Sequence, residues 1–124
     1  MRVHAAWGRR MIAVVFEVIP ATDRKEKYLT IAASLKPALE EIEGFISVER
    51  FQSLSDPDKI LSLSFFENET AVARWRTLPV RRGAQSQGRG GVFQDYRLRV
   101  AAVIRDCGMT GRQQELKDSR AANS

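Results

Sequence analysis

Three groups of residues in this 124-residue chain have types and positions that bear on chemistry. Trp75 stands in a segment of helical apolar spacing and offers a flat apolar wall with one N–H donor. The competing reading is a tryptophan of the core. Glu17 is the one charge in residues 11–20, a run otherwise apolar in both alternating registers. Burial favours the protonated form of a carboxylate, and such a group can serve as a general base near neutrality. The competing reading pairs Glu17 with Arg97 or Arg99 across a sheet, or sets it at a wet subunit rim. Arg81 and Arg82 are adjacent guanidiniums that can hold an anion but cannot act as bases at neutral pH. Their competing reading is a solvated basic helix face.

What the sequence lacks narrows the chemistry. His4 is the only histidine and lies in the N-terminal extension, so the expected domain has no proximal ligand for haem iron and no histidine-based metal cluster. Cys107 is the only cysteine, which excludes an intramolecular disulfide and a cysteine-based zinc site and fits a reducing, cytoplasmic setting. Phosphate-loop, dinucleotide-binding and nucleophile-elbow motifs do not occur. No cofactor and no metal are expected. The net charge is +5, yet residues 11–107 hold 14 basic and 13 acidic residues, so most of the excess sits in the flanks. Arg74, Trp75, Arg76, Arg81, Arg82 and Arg89 interleave basic and aromatic character. The near-neutral domain nevertheless argues against nucleic acid as a partner. Arg9-Arg10 ahead of an apolar run resembles a twin-arginine leader, but the run stops at Glu17, short of the roughly 7–15 apolar residues and cleavage site expected of one. No stretch approaches the roughly 20 apolar residues of a membrane span, and no membrane association is expected.

The elements that must position these groups follow from periodicity. Residues 11–20 read as a strand covered on both faces, ended by Pro20. Asp23 with Glu26 reads as a capping pair, opening a helix whose face carries Tyr28, Ile31, Ala32, Leu35, Leu39 and Ile42. Pro37 should bend that helix, and Gly44 is its expected left-handed end. Residues 45–54 and 59–66 read as a hairpin about the turn Ser55-Asp56-Pro57-Asp58. Asn68 caps a second helix with Ala71, Val72, Trp75 and Leu78 on one face, interrupted at Pro79. Residues 80–91 read as a further helical turn or loop, and residues 93–106 as a long strand with Tyr96, Leu98, Val100, Ala102 and Ile104 on one face. Residues 1–10 and 109–124 are expected to be disordered extensions around a domain of residues 11–108.

The order β-α-β-β-α-β specifies an α+β, ferredoxin-like domain: a four-stranded antiparallel sheet with both helices on one face. The opposite face would then be a bare apolar surface of several hundred Å2, and a second copy packed sheet to sheet, a homodimer, would cover it. Three segments carry a resemblance: Met11–Val18; the run Glu40-Glu41-Ile42-Glu43-Gly44-Phe45 continuing to Phe51; and Ser62-Leu63-Ser64-Phe65-Phe66 with Ala73-Arg74-Trp75-Arg76. Together they resemble the antibiotic biosynthesis monooxygenase family of dimeric α/β barrels. The resemblance implies a cofactor-independent monooxygenase acting with O2 on a hydrophobic, aromatic small molecule in a pocket between sheet and helices. It implies Trp75, Glu17 and Arg81 as catalytic candidates and Trp75, Phe66 and Arg82 as substrate contacts. Members of this family often carry a His-Arg pair after the helical tryptophan, where this chain has Arg81-Arg82. That departure weakens acid–base catalysis at the pair, and the lack of a domain histidine disfavours the haem-degrading branch. The alternative is a non-catalytic dimeric α/β-barrel protein in ligand binding or stress.

Overall fold

A computed structural model describes residues 11–109. The expectations for residues 1–10, His4 and Trp7 among them, and for residues 110–124 concern positions outside the described ones. The elements run β1 (Ile12–Pro20), α1 (Lys25–Glu40), β2 (Phe45–Gln52), β3 (Ile60–Phe66), α2 (Glu69–Arg76), α3 (Pro79–Gln87), a wide turn over Gly88–Val92, and β4 (Phe93–Ala102). The strands form one antiparallel sheet in the order β2-β3-β1-β4, the ferredoxin-like arrangement. No helix among the described residues is long and apolar enough to cross a membrane.

The register assigns every side chain to a face. Ile12, Val14, Phe16 and Val18 of β1 stand opposite Phe66, Ser64, Ser62 and Ile60 of β3. On the other flank they stand opposite Ala102, Val100, Leu98 and Tyr96 of β4. This is the helix-covered face. Ala13, Val15 and Glu17 share the opposite face with Leu61, Leu63 and Phe65, where no helix lies.

Several boundaries differ from the sequence expectation, each for a local reason. Asp23 has φ +64°, so it cannot be the extended capping residue; α1 starts one residue later, with Arg24 as its N-cap and no side-chain cap. The helix continues through Pro37. Pro37 and Ala33, whose carbonyl loses its partner, are both exposed, so water can take that bond. β4 ends at Ala102 rather than running to residue 106, because its pairing partner β1 begins at Ile12, opposite Ala102. β2 stops at Gln52, whose side-chain amide donates to the carbonyls of Pro57 at 2.7 Å and Lys59 at 3.0 Å and so ties the hairpin turn to the strand end. Asn68 caps α2 as expected, its Oδ1 accepting from the Ala71 N–H at 2.9 Å.

The interior consists of two apolar clusters between sheet and helices. One holds Val18, Tyr28, Ala32, Ile60 and Val92; the other holds Leu39, Phe66 and Ala71, with Trp75 and Phe45 packed on it. The second depends on Gly44, which lies at φ +95° three residues beyond the Glu41 C-cap. Its carbonyl accepts from the Glu67 N–H at 2.7 Å, and a Cβ built on it would sit 2.8 Å from the Ala71 Cβ. Gly44→Ala is therefore expected to destabilise the fold by about 1–3 kcal/mol, from left-handed backbone and the clash together. Urea denaturation checks this; an unchanged midpoint would show that α2 does not rest on the Gly44 backbone.

Candidate active site

β3 creates the cavity. Its helix-facing positions read Ile60, Ser62, Ser64, Phe66, so large apolar side chains occur only at the two ends. Each end seeds one of the core clusters, and the serines between leave the helices unsupported. The space is a cavity of about 630 Å3 between sheet and helices, within the range of small-molecule sites. Val14 and Phe16 of β1, Leu35 and Leu39 of α1, Val72 and Trp75 of α2, and Leu98 and Val100 of β4 supply most of its apolar wall. Leu98 and Val100 are 40% and 52% exposed, so the cavity opens along β4.

A few polar groups reach this apolar space: Ser62, Ser64, Tyr28, Arg50, Glu69, Arg76, Arg81 and Gln85. Three are guanidiniums and one is a carboxylate. Glu69, in the first turn of α2, and Arg76 are exposed at the rim, whereas Arg81 is half-buried. Tyr28 is buried on α1, and burial pushes its phenol pKa up; the neighbouring Arg50 charge and a hydrogen bond from it pull the other way and do not cancel the rise. Arg50 reaches from β2 toward α1 and donates through one terminal nitrogen to the Ala32 carbonyl at 3.4 Å. Its Nε is buried with no hydrogen-bond partner. Among the described residues there is no group of three or more His, Cys, Asp or Glu side chains that could hold a metal ion.

The residues singled out from sequence divide sharply. Trp75 and Arg81 line the cavity together. Glu17 does not: it lies on the opposite face of the sheet, where it pairs with Arg99 at 3.1 Å and Lys59 at 3.7 Å. The strand alternation that makes Phe16 a wall residue turns its neighbour away. Phe66 is fully buried beneath the second cluster, edge-on to Phe45 at 5.7 Å, so it supports Trp75 rather than facing the cavity. Arg82 is exposed and outside the lining. Sequence reasoning missed Arg50, Glu69 and the two serines. The available signal was the alternation Ile60-Leu61-Ser62-Leu63-Ser64-Phe65-Phe66, whose serines read by default as a solvent face.

Filling the cavity from its floor separates stability from function. Ser62→Val and Ser64→Val add β-branched apolar side chains to a strand. Each is expected to leave the fold as stable as before or to raise stability by up to about 1 kcal/mol, while weakening binding of any cavity ligand. Thermal melts with and without an apolar ligand check this; a large loss of stability would mean that the serines sit in packed core.

Residues 11–87 match the antibiotic biosynthesis monooxygenase family. A curated protein of Pyricularia oryzae, jasmonate monooxygenase ABM, is 50% identical over 93 residues. The match takes in 75% of this chain and 43% of that protein, so the chain spans less than half the length of this relative. Among solved structures, a Shewanella oneidensis protein superposes with a TM-score of 0.71 at 16% identity, over 77% of this chain and 92% of that one. A variant of SnoaB, a cofactor-independent oxygenase from Streptomyces nogalater, gives a TM-score of 0.69 at 8% identity, over 78% and 96%. Likeness at such identities establishes the shared fold. The family match over residues 11–87, which takes in β1 to β3 and all three helices with Trp75 and Arg81, establishes more: this chain belongs to the antibiotic biosynthesis monooxygenase family.

Proposed function

We propose that the chain is a cofactor-independent monooxygenase that oxidises a hydrophobic, aromatic small molecule with O2, working as a homodimer. The observation that carries the reading is the cavity itself: a largely apolar space with Trp75 as a flat wall and a small set of polar groups. In such chemistry the substrate supplies the electrons. A C–H or O–H acidified by a neighbouring carbonyl and ring loses its proton, and the resulting anion reduces O2. Oxidation of a ring CH2 to a carbonyl keeps one oxygen atom in the product. The other leaves as water with the two hydrogens of the substrate. The protein has to bind the ring, take up a proton and steady negative charge. Trp75 is suited to the first task and Arg81 to the third. Glu69, the carboxylate of the lining, takes the proton-acceptor role that Glu17 cannot reach from the far side of the sheet.

The uncovered sheet face supports the homodimer. Ala13, Val15, Leu61, Leu63 and Phe65 place five partly buried apolar side chains there, with Phe51 42% exposed beside them. Sedimentation at micromolar concentration is expected to give about twice the 14.0 kDa chain mass; a stable folded monomer would overturn this.

Oxygen uptake with a panel of anthrones, quinols and jasmonate tests turnover. Uptake is expected with at least one compound, with Trp75→Ala lowering kcat/KM about tenfold or more and Glu17→Gln changing it less than about threefold. Ligand binding without oxygen uptake from any of them would favour a non-catalytic binding protein. A large loss on Glu17→Gln would return that residue to the site.

A further inference from the structure

Arg50 is out of place unless something answers its charge. It stands on the helix-covered side of the sheet, among apolar wall residues, where a guanidinium loses much of its hydration. Arg50 is half-buried, and a cation drawn partly out of water is ordinarily matched by a carboxylate. Among the described residues no carboxylate lies within ion-pair distance of Arg50. Glu17 is on the other face and Glu69 is at the rim. The one hydrogen bond to a backbone acceptor, at 3.4 Å, is long for a charge-assisted bond, and the buried Nε has no acceptor. The sealed Nε is beyond a ligand's reach, but the rest of the guanidinium lines an apolar cavity of ligand size beside the Tyr28 hydroxyl, with one long backbone bond and no carboxylate, and that is the donor arrangement of an oxyanion seat. A planar fork of N–H donors fits the two oxygens of a carboxylate.

We propose that Arg50 is the anchor of this cavity's ligand, and that the ligand is an apolar small molecule bearing one carboxylate. The acid group sits on the sheet side against Arg50, with the Tyr28 hydroxyl as a second donor. The hydrocarbon body lies over Ser62 and Ser64 toward Trp75. The remaining lining agrees in sign, with Arg76 and Arg81 against the single carboxylate of Glu69. One anchor leaves the rest of the molecule oriented by shape, so the anchor fixes which carbon is presented to the helices. The inference rests on the proposed function only in taking this cavity as the substrate site.

Calorimetric titration of the full chain under argon tests it, with three apolar acids each set against its own primary amide: decanoate, 4-cyclohexylbutanoate and 2-naphthylacetate. Acid and amide share shape and differ in charge. At least one acid is expected to bind more tightly than its amide by about tenfold or more. Arg50→Gln should remove that preference while leaving amide affinity within about threefold, and Arg50→Lys, which keeps the charge without the fork, should retain part of it. Amides binding as well as acids, no acid binding by about 1 mM, or a preference that survives Arg50→Gln would each overturn the proposal. If the Gln variant does not fold, Arg50→Lys decides: an acid preference undiminished in it would place the anchor elsewhere, at Arg76 or Arg81, and overturn the proposal. Because no oxygen is consumed, acid-selective binding with no turnover on the monooxygenase panel would keep this inference and remove the catalytic one.

Discussion

The position of α2 depends on a contact in which no side chain of Gly44 takes part. The backbone turn at Gly44 reaches left-handed geometry and lies against Ala71, a residue with no exposed surface. Asn68 closes the first turn of α2 directly above it, and Arg74 donates to the Glu43 carbonyl at 3.1 Å on the same side. A helix of eight residues is too short to be stable by itself. It borrows its place from this contact, its cap and its own apolar face. Trp75 and Glu69 are both on that helix, so the wall and rim of the cavity inherit whatever precision the Gly44–Ala71 contact gives.

The fold was legible because its signals are local and redundant. Apolar residues from Tyr28 to Leu39 recur at helical spacing, and β1 is apolar in both registers. Strand ends were less legible: the apolar alternation from Tyr96 runs on to Ile104, but a strand lasts only as long as its neighbour, and β1 begins at Ile12. Asp23 has the right residue type for a cap and the wrong backbone, which composition cannot reveal.

The site was legible only where function and packing agree. Trp75 stands out because a helix-face aromatic must touch something. Arg50 does not stand out, since a charge in the sequence Val48-Glu49-Arg50-Phe51 reads as the wet side of a strand. In the structure Glu49 takes the open face, opposite Leu63, and Arg50 the covered one, opposite Ser62. The two adjacent charges therefore experience different dielectric surroundings, and only the register separates them. Glu17 illustrates the reverse: it looks solitary in the sequence, yet Arg99 answers it from β4 and Lys59 from the residue just before β3.

One strand thus serves two purposes on alternate residues. The even positions Ser62 and Ser64 set the depth of the cavity, while the odd positions Leu61, Leu63 and Phe65 form the centre of the uncovered face. Because side chains alternate strictly across a pleated sheet, a substitution at an even position need not disturb the odd surface. Descendants of such a chain can therefore change the size of the cavity, one residue at a time, under selection that leaves the uncovered face untouched. Variation confined to positions 62 and 64 would make β3 a dial for ligand choice, and covariation with positions 61, 63 and 65 should be weak for the same geometric reason.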